Sequence, residues 1–385
     1  MSTDPASAPS PPPSASRLEA AGVRFLRSLA AQKRAVAQDE LHVLNADERQ
    51  QLRAIERSAI ASAAAAGAIS GLVCAIPAIV MTPLGPASTH SEAARYWGII
   101  AGVTIVASVL EIAYLYWDGL RAVQKLAFAA GMDLADPALE HDQTSALWAL
   151  ARAALEAPNP PNAVPGVDPL REASKARVLV ASLLYKLKVT ISGFVAKALV
   201  RRALGRAATR SVLELVAVPV TAVWDALVCW LIVREAKLRV LGPSAAVEFV
   251  AIVAGDPSLS DDCKQCCVRA IGAAAVRSED LHPNLVALLK TTQRALSVGA
   301  VDGIDDSQRF LGSIEKLSKG EQTAALRMLA TASIIDGRLA REERRLLEEA
   351  FARCGRSFDP RAIERLRRAF VSGDAIPPER LHAIE

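Results

Sequence analysis

Aromatic side chains are scarce in this chain, at 4% of 385 residues, and alternating apolar/polar runs are almost missing. Both scarcities weigh against strands and predict an all-α fold. Histidine is rare as well. His42, His90, His141, His282 and His382 are scattered without ligand spacing, and no GxSxG, P-loop, HExxH or dinucleotide fingerprint is present. The sequence therefore gives no support for catalysis, and neither enzymatic activity nor a cofactor is expected. The six cysteines do not form the framework of a secreted disulfide protein, so a reducing compartment is expected. A net charge of +4 is too small to argue for nucleic acid. The opening MSTDPASAPSPPPSAS lacks a basic n-region and an apolar h-region, so residues 1–16 read as a disordered tail and no cleaved signal is expected.

Charge is also absent where it matters most. No ionised residue lies between Arg57 and Glu92, and Glu111 is the only one from Tyr96 to Trp117. At about 1.5 Å per residue, each of these segments can cross a hydrocarbon core of about 30 Å. Residues 58–117 are therefore predicted to form a transmembrane helical hairpin. Ala59, Ala63, Gly67, Gly71 and Ala75 make a small-residue ridge on the first helix, and Gly98 and Gly102 repeat the GxxxG spacing on the second. Small residues allow close approach in lipid, so the two helices are expected to pack through them. Arg49, Arg53 and Arg57 precede the hairpin, and Arg121 and Lys125 follow it, which places both termini on the cytoplasmic side of the cell (inner) membrane. Glu111 has two readings. It is a functional group for protons or cations, or a carboxylate kept wet near the headgroups or paired with Arg121.

Residues 17–57 read as a charged helical segment running into the hairpin, with Asn45 and Glu48 spaced as a capping box. Amphipathic helices follow over 118–156, ended in part by Gly131, and then a Pro-rich linker at 157–169 that reads as a domain boundary. Residues 170–243 hold basic amphipathic and apolar helices. From Ala173 to Leu213 there are nine basic residues and no acidic one, and Lys197, Arg201, Arg202, Arg206 and Arg210 suit anionic lipid headgroups as well as a solvated face. The apolar run Ser211–Val233 contains Glu214, Pro219 and Asp225. An aspartate at a bilayer centre costs about 2.5–3.5 kcal/mol. The run is accordingly expected to dock on the hairpin rather than span, and its unit to end at Gly242-Pro243.

Residues 244–385 are expected to form a separate soluble helical domain. Cys263, Cys266 and Cys267 would share a helix face, usable by zinc or redox chemistry, but lack a second pair; small apolar packing is the plainer reading. Later, Asp336, Gly337, Leu339, Glu343 and Leu347 follow a helix–turn–helix pattern, with Gly337 suited to a left-handed turn. This stretch, over about residues 286–357, resembles the TerB-type domain of tellurite-resistance proteins. The resemblance implies a divalent metal at Asp336 and Glu343. Ile335 and Ala340 depart from the pattern, and an earlier copy at Asp302-Gly303 has Arg309 in place of the glutamate. The hairpin followed by LRAVQKLAFAAG is also similar in pattern to bacterial membrane proteins of the EcsC-like type.

The expected protein is all-α and membrane-anchored, with a transmembrane hairpin and a cytoplasmic helical domain that binds a protein partner. Its expected role is that of a non-enzymatic scaffold or stress-associated factor, with no nucleic-acid partner and homo-oligomerisation left open. Two alternatives are a permeability factor using Glu111 and Asp225, and a divalent-metal stress protein. A soluble protein that inserts only on a trigger is a further one.

Overall fold

The computed structural model describes residues 16–30, 43–81, 90–132, 134, 146–160, 164–172, 210–255 and 258–377, and every regular element among them is a helix. The acidic-free basic segment, with Lys197, Arg201, Arg202 and Arg206, lies outside these residues. So do the tail through residue 15 and the hairpin connector at 82–89. Arg210 begins a helix, but its side chain is likewise outside.

Three long helices dominate: α2 (Ala46–Met81), α3 (His90–Ala129) and α5 (Arg210–Ala254), of 36, 40 and 45 residues. Short α1 (Arg17–Ala30) and α4 (Ala146–Ala154) pack at their polar end. The expected capping box starts α2: the Glu48 amide donates to Asn45 Oδ1 and the Asn45 amide to Glu48 Oε2, both at 2.8 Å. Gly131, at φ +79°, closes α3, and the Met132 amide donates back to Ala127 O. Two stretches, Ala46–Pro77 and Gly98–Ala129, are long and apolar enough to cross a membrane, with a mean hydropathy of 2.0 in each.

The hydrogen bonds between the long helices fix their register. Ser62 Oγ and Tyr114 Oη lie 2.6 Å apart, and Ser70 Oγ donates to Glu111 Oε2 at 2.5 Å, so α2 and α3 are antiparallel. Gly67 meets Thr221 and Asp225 of α5, and Gly71 meets Val218 and Thr221, so α5 is antiparallel to α2 as well. The Ser211–Val233 run thus docks on the hairpin, as expected. The GxxxG seam differs from expectation. Gly67 and Gly71 face α5, and among the described residues a side chain built at Gly98 or Gly102 would meet nothing within 4 Å. Serine and tyrosine hydroxyls join α2 to α3, leaving the glycine groove for the third helix.

The C-terminal half adds α6 (Asp261–Ser278), α7 (Pro283–Ala295), α8 (Ser307–Ile314), α9 (Lys319–Ala332), α10 (Arg341–Arg353) and α11 (Pro360–Ser372). Two sequence-predicted boundaries do not appear as breaks. Helix α5 runs through Gly242 and Pro243 without ending. Proline there removes a backbone donor. The gap at Gly242 admits Asn284, whose Nδ2 donates to Leu238 O at 2.9 Å and to Ile335 O at 2.8 Å. The Pro-rich 157–169 segment is strapped to the C-terminal helices. Asn159 Nδ2 donates to Asp280, the Asp168 amide donates to Asp305, and Val167 is buried. One continuous apolar core runs from Val23 in α1 to Ile376 after α11.

Candidate functional site

Two polar sites stand out, one at mid-height of the apolar helices and one at their charged end. In the first, α2 is approached from two sides. Glu111, half-buried on α3, accepts the Ser70 hydroxyl. Asp225, 7% exposed, lies on α5 where a side chain at Gly67 would come within 2.4 Å of its Oδ2. The Thr221 hydroxyl donates to Gly67 O at 2.8 Å. Gly67 and Ser70 are three residues apart, about 4.5 Å of rise, so Glu111 and Asp225 reach one helix at nearly one level. Glu111 bonds Ser70 rather than Arg121, whose guanidinium lies over Trp117 at 4.5 Å.

The apolar faces outside these contacts are open. Ile69, Leu72, Ile76 and Val80 of α2 are exposed, as are Ile105, Val109, Leu110 and Ile112 of α3. Helix α5 adds Val223, Leu227 and Leu231. Only 33% of the apolar window of α2 and 6% of that of α3 are buried against protein. A core helix of a soluble protein shows the opposite pattern. From the register above, Arg57 of α2, Arg121 of α3 and Arg234 of α5 fall within about 3 Å of one level. Trp117 and Trp230 sit one turn towards the apolar side, each beneath a guanidinium at 4.5 and 5.7 Å.

The second site is a pocket of about 530 Å³ just past that level, between the ends of α4 and α6, the middle of α5 and the turn holding Arg338. Its inner wall is an ordered charge network. Arg239, 5% exposed, donates to Glu235 Oε1, to Ala149 O and to Asn159 Oδ1. The His282 Nε2–H donates to the same Glu235 oxygen at 2.9 Å, because its Nδ1 accepts the Asn284 amide. Burial pushes the Glu235 carboxyl up, but the His282 hydrogen bond and the Arg239 charge outweigh it and hold it well below the usual carboxylate range. Arg152 closes the wall with a 3.2 Å bond to Glu19. The rim carries Arg234 and Arg338 together with Glu156, Glu279 and Asp280. Sequence reasoning missed this site. Its one visible signal is Glu235–Arg239, an i, i+4 pair directly after an apolar run, which reads as an ordinary helix tail.

Asp336 and Glu343 do come together. Asp336 Oδ1 accepts the Arg338 amide at 2.8 Å, and Glu343 Oε2 accepts the Ala340 amide at 2.7 Å. Glu343 is fully buried, and its Oε1 has no hydrogen-bond partner among the described residues. Burial raises both carboxyls, and the Asp336 charge raises Glu343 further. A divalent cation needs six or more oxygens and ionised carboxylates. Here two carboxyls driven towards neutrality supply the set, and no group of three metal-ligating side chains occurs among the described residues. These residues do not fit the metal. In the earlier copy, Arg309 pairs with Asp302 at 2.7 Å, replacing the carboxylate chemistry with an ion pair.

Cys263, Cys266 and Cys267 are fully buried in the core face of α6. Burial pushes the Cys266 thiol up to about 12, and Cys263 and burial push Cys267 up as well, so neither supplies a thiolate at neutral pH. They pack as small apolar residues.

Comparison with protein-family models, curated proteins and solved structures finds no match to this chain.

Proposed function

We propose that this chain is a membrane-anchored, non-enzymatic scaffold or stress-associated factor. In this reading α2, α3 and the first half of α5 lie in the lipid of the inner membrane. The remaining helices form a cytoplasmic body that engages a protein partner. The supporting observation is the open apolar surface on three neighbouring helices, bounded by one level of arginines and tryptophans. The exposed residues named above would together gain on the order of 10 kcal/mol on leaving water for lipid. The cost assigned to Asp225 in sequence is reduced, because that side chain faces the α2 backbone rather than lipid. Membrane fractionation tests the reading. Release into the soluble fraction by alkaline carbonate, without detergent, sinks it, and also leaves the triggered-insertion alternative standing.

A second reading, a permeability factor, is favoured by the approach of Glu111 and Asp225 to one level of α2. Proteoliposomes carrying E111Q/D225N would show lost proton or cation flux if it holds, and unchanged flux removes it. The TerB-type likeness of the C-terminal helices is supported by the left-handed turn at Gly337, φ +74°, and by the Glu343–Ala340 bond. It enters here as an interaction module without the metal.

A further inference from the structure

The register of the long helices requires one more passage along them than α2, α3 and α5 supply. Helix α2 runs from the body to the far end, and α3 returns. Helix α5 also runs from the far end to the body, because Gly67 meets Thr221 and Asp225 while Gly71 meets Val218 and Thr221. That register sets the start of α5, at Arg210, at about the level of Val80 in the last turn of α2. The chain before α5 is held at the opposite end. Glu172 accepts the Ser307 amide at 3.1 Å and pairs with Arg277 at 3.2 Å, both on the body. From Glu235, at the pocket, to Arg210 is about 37 Å along α5. Residues 173–209, which lie outside the described residues, therefore join two points separated by the height of the apolar layer.

The sequence of that connection suits a crossing. In residues 178–200, VLVASLLYKLKVTISGFVAKALV, the ionised side chains are Lys186, Lys188 and Lys197. Lys175 and Arg177 precede the stretch, and Arg201 and Arg202 follow it. At helical rise it is about 34 Å long, enough for a hydrocarbon core of about 30 Å. Its charges have counterparts at the matching depth. Asp225 lies nine residues before Arg234 and Glu111 ten before Arg121, about 14–15 Å in from the arginine level. Lys186 and Lys188 lie nine and eleven residues after Arg177, about 14–17 Å in. The Ser70 hydroxyl donates to Glu111 but leaves its charge uncancelled.

We propose that residues 178–200 cross the apolar layer beside α5 as a fourth span, with Lys186 and Lys188 as counter-ions of Asp225 and Glu111. The occupant of this flank of the bundle is then a segment of the same chain. Four crossings return the chain to the body, as three cannot. Paired with lysines, the two acids hold the span in register instead of lining a polar path. The inference rests on the membrane reading of α2, α3 and α5.

Labelling of the full chain with a membrane-impermeant maleimide, in right-side-out and inverted vesicles, tests the crossing. C354A removes the half-buried native thiol of the body, and S174C, S211C and A300C are added one at a time. S174C and A300C should label from the cytoplasmic side, and S211C from the opposite side. S211C labelled from the side of A300C overturns the proposal, and so does S174C labelled from the side of S211C. Thermal unfolding in detergent tests the pairing. E111Q/D225N and K186Q/K188Q should each lower the midpoint, and the combined variant should melt no lower than the worse of the two. Losses that add overturn the pairing. Release of the chain by carbonate would instead remove the membrane reading itself while leaving that coupling intact, so the two failures are separable.

Discussion

Asn284 gives the most direct test of whether the long apolar helices and the C-terminal helices are one unit. Its side chain is 1% exposed and donates to Leu238 O of α5 and to Ile335 O of the turn before Gly337. In N284A both carbonyls lose this donor with no water to replace it. At about 1–3 kcal/mol per buried unsatisfied group, the expected cost is about 2–5 kcal/mol. For a chain of this length, that lowers the unfolding midpoint in detergent by roughly 2–6 °C. N284D should be worse than N284A, because it turns a carboxylate towards two carbonyl oxygens in a dry site.

A double-mutant cycle sharpens the test. A side chain at Gly242 would lie 2.1 Å from Asn284 Cγ, so G242A alone overpacks the site and destabilises. With Asn284 truncated, that clash is gone and the added methyl fills part of the cavity. Alanine is also the better helix former by about 1 kcal/mol. The double variant should therefore be more stable than N284A, with a coupling of at least about 1 kcal/mol. Thermal unfolding followed by circular dichroism measures all four corners. N284A costing less than ~0.5 kcal/mol, or a double variant no better than N284A, would refute the reasoning.

Three further outcomes are expected. G67L should destabilise the α2–α5 seam by about 1–3 kcal/mol, since its Cβ would meet the Thr221 carbonyl at 2.7 Å, whereas G98L should stay within ~0.5 kcal/mol; equal effects would reject the seam. Because burial and Asp336 raise the Glu343 carboxyl, the folded state binds its proton more tightly than the unfolded state does. The wild type should then lose stability as pH rises from the ordinary carboxylate range, and E343Q should gain on it from pH 4 to pH 8; a pH-independent difference counts against this. Native-state alkylation at pH 8 should spare Cys263, Cys266 and Cys267 and reach Cys354 first, read by mass spectrometry; early modification of the buried three would reject their packing role.

Local signals were legible wherever chemistry and chain position coincide. The Asn45/Glu48 box, the Gly131 stop and the turn at Gly337 all depend on neighbours within a few residues, and each is present. What sequence did not show was partner choice. Gly67 and Gly71 announce a close approach, but not whether it is by the adjacent helix or by one 150 residues later. Likewise Gly242-Pro243 carries the local signature of a helix end. The helix nevertheless continues, and Asn284, 42 residues downstream, occupies the gap at Gly242 and bonds Leu238 O. The charged pocket was hidden for the same reason, since Arg152, Glu235, His282 and Arg338 come from four separate stretches of chain.

Helix α5 carries the consequence of these long-range contacts. Its first half lies against Gly67 and Gly71, and its middle supplies Arg234, Glu235 and Arg239 to the pocket. Its second half is held by Asn284 and by Leu238 against Gly337. Along one helix, a displacement at the α2 seam cannot be absorbed by a flexible linker before it reaches the pocket, because the core is continuous past Pro243. The seam and the pocket are therefore mechanically coupled through about four turns of helix between Thr221 and Glu235. Hydrogen exchange supplies the measure. Relative to wild type, G67L should raise exchange at the Asn284 amide, which donates to His282. A hairpin tethered to an independent domain would leave that amide untouched.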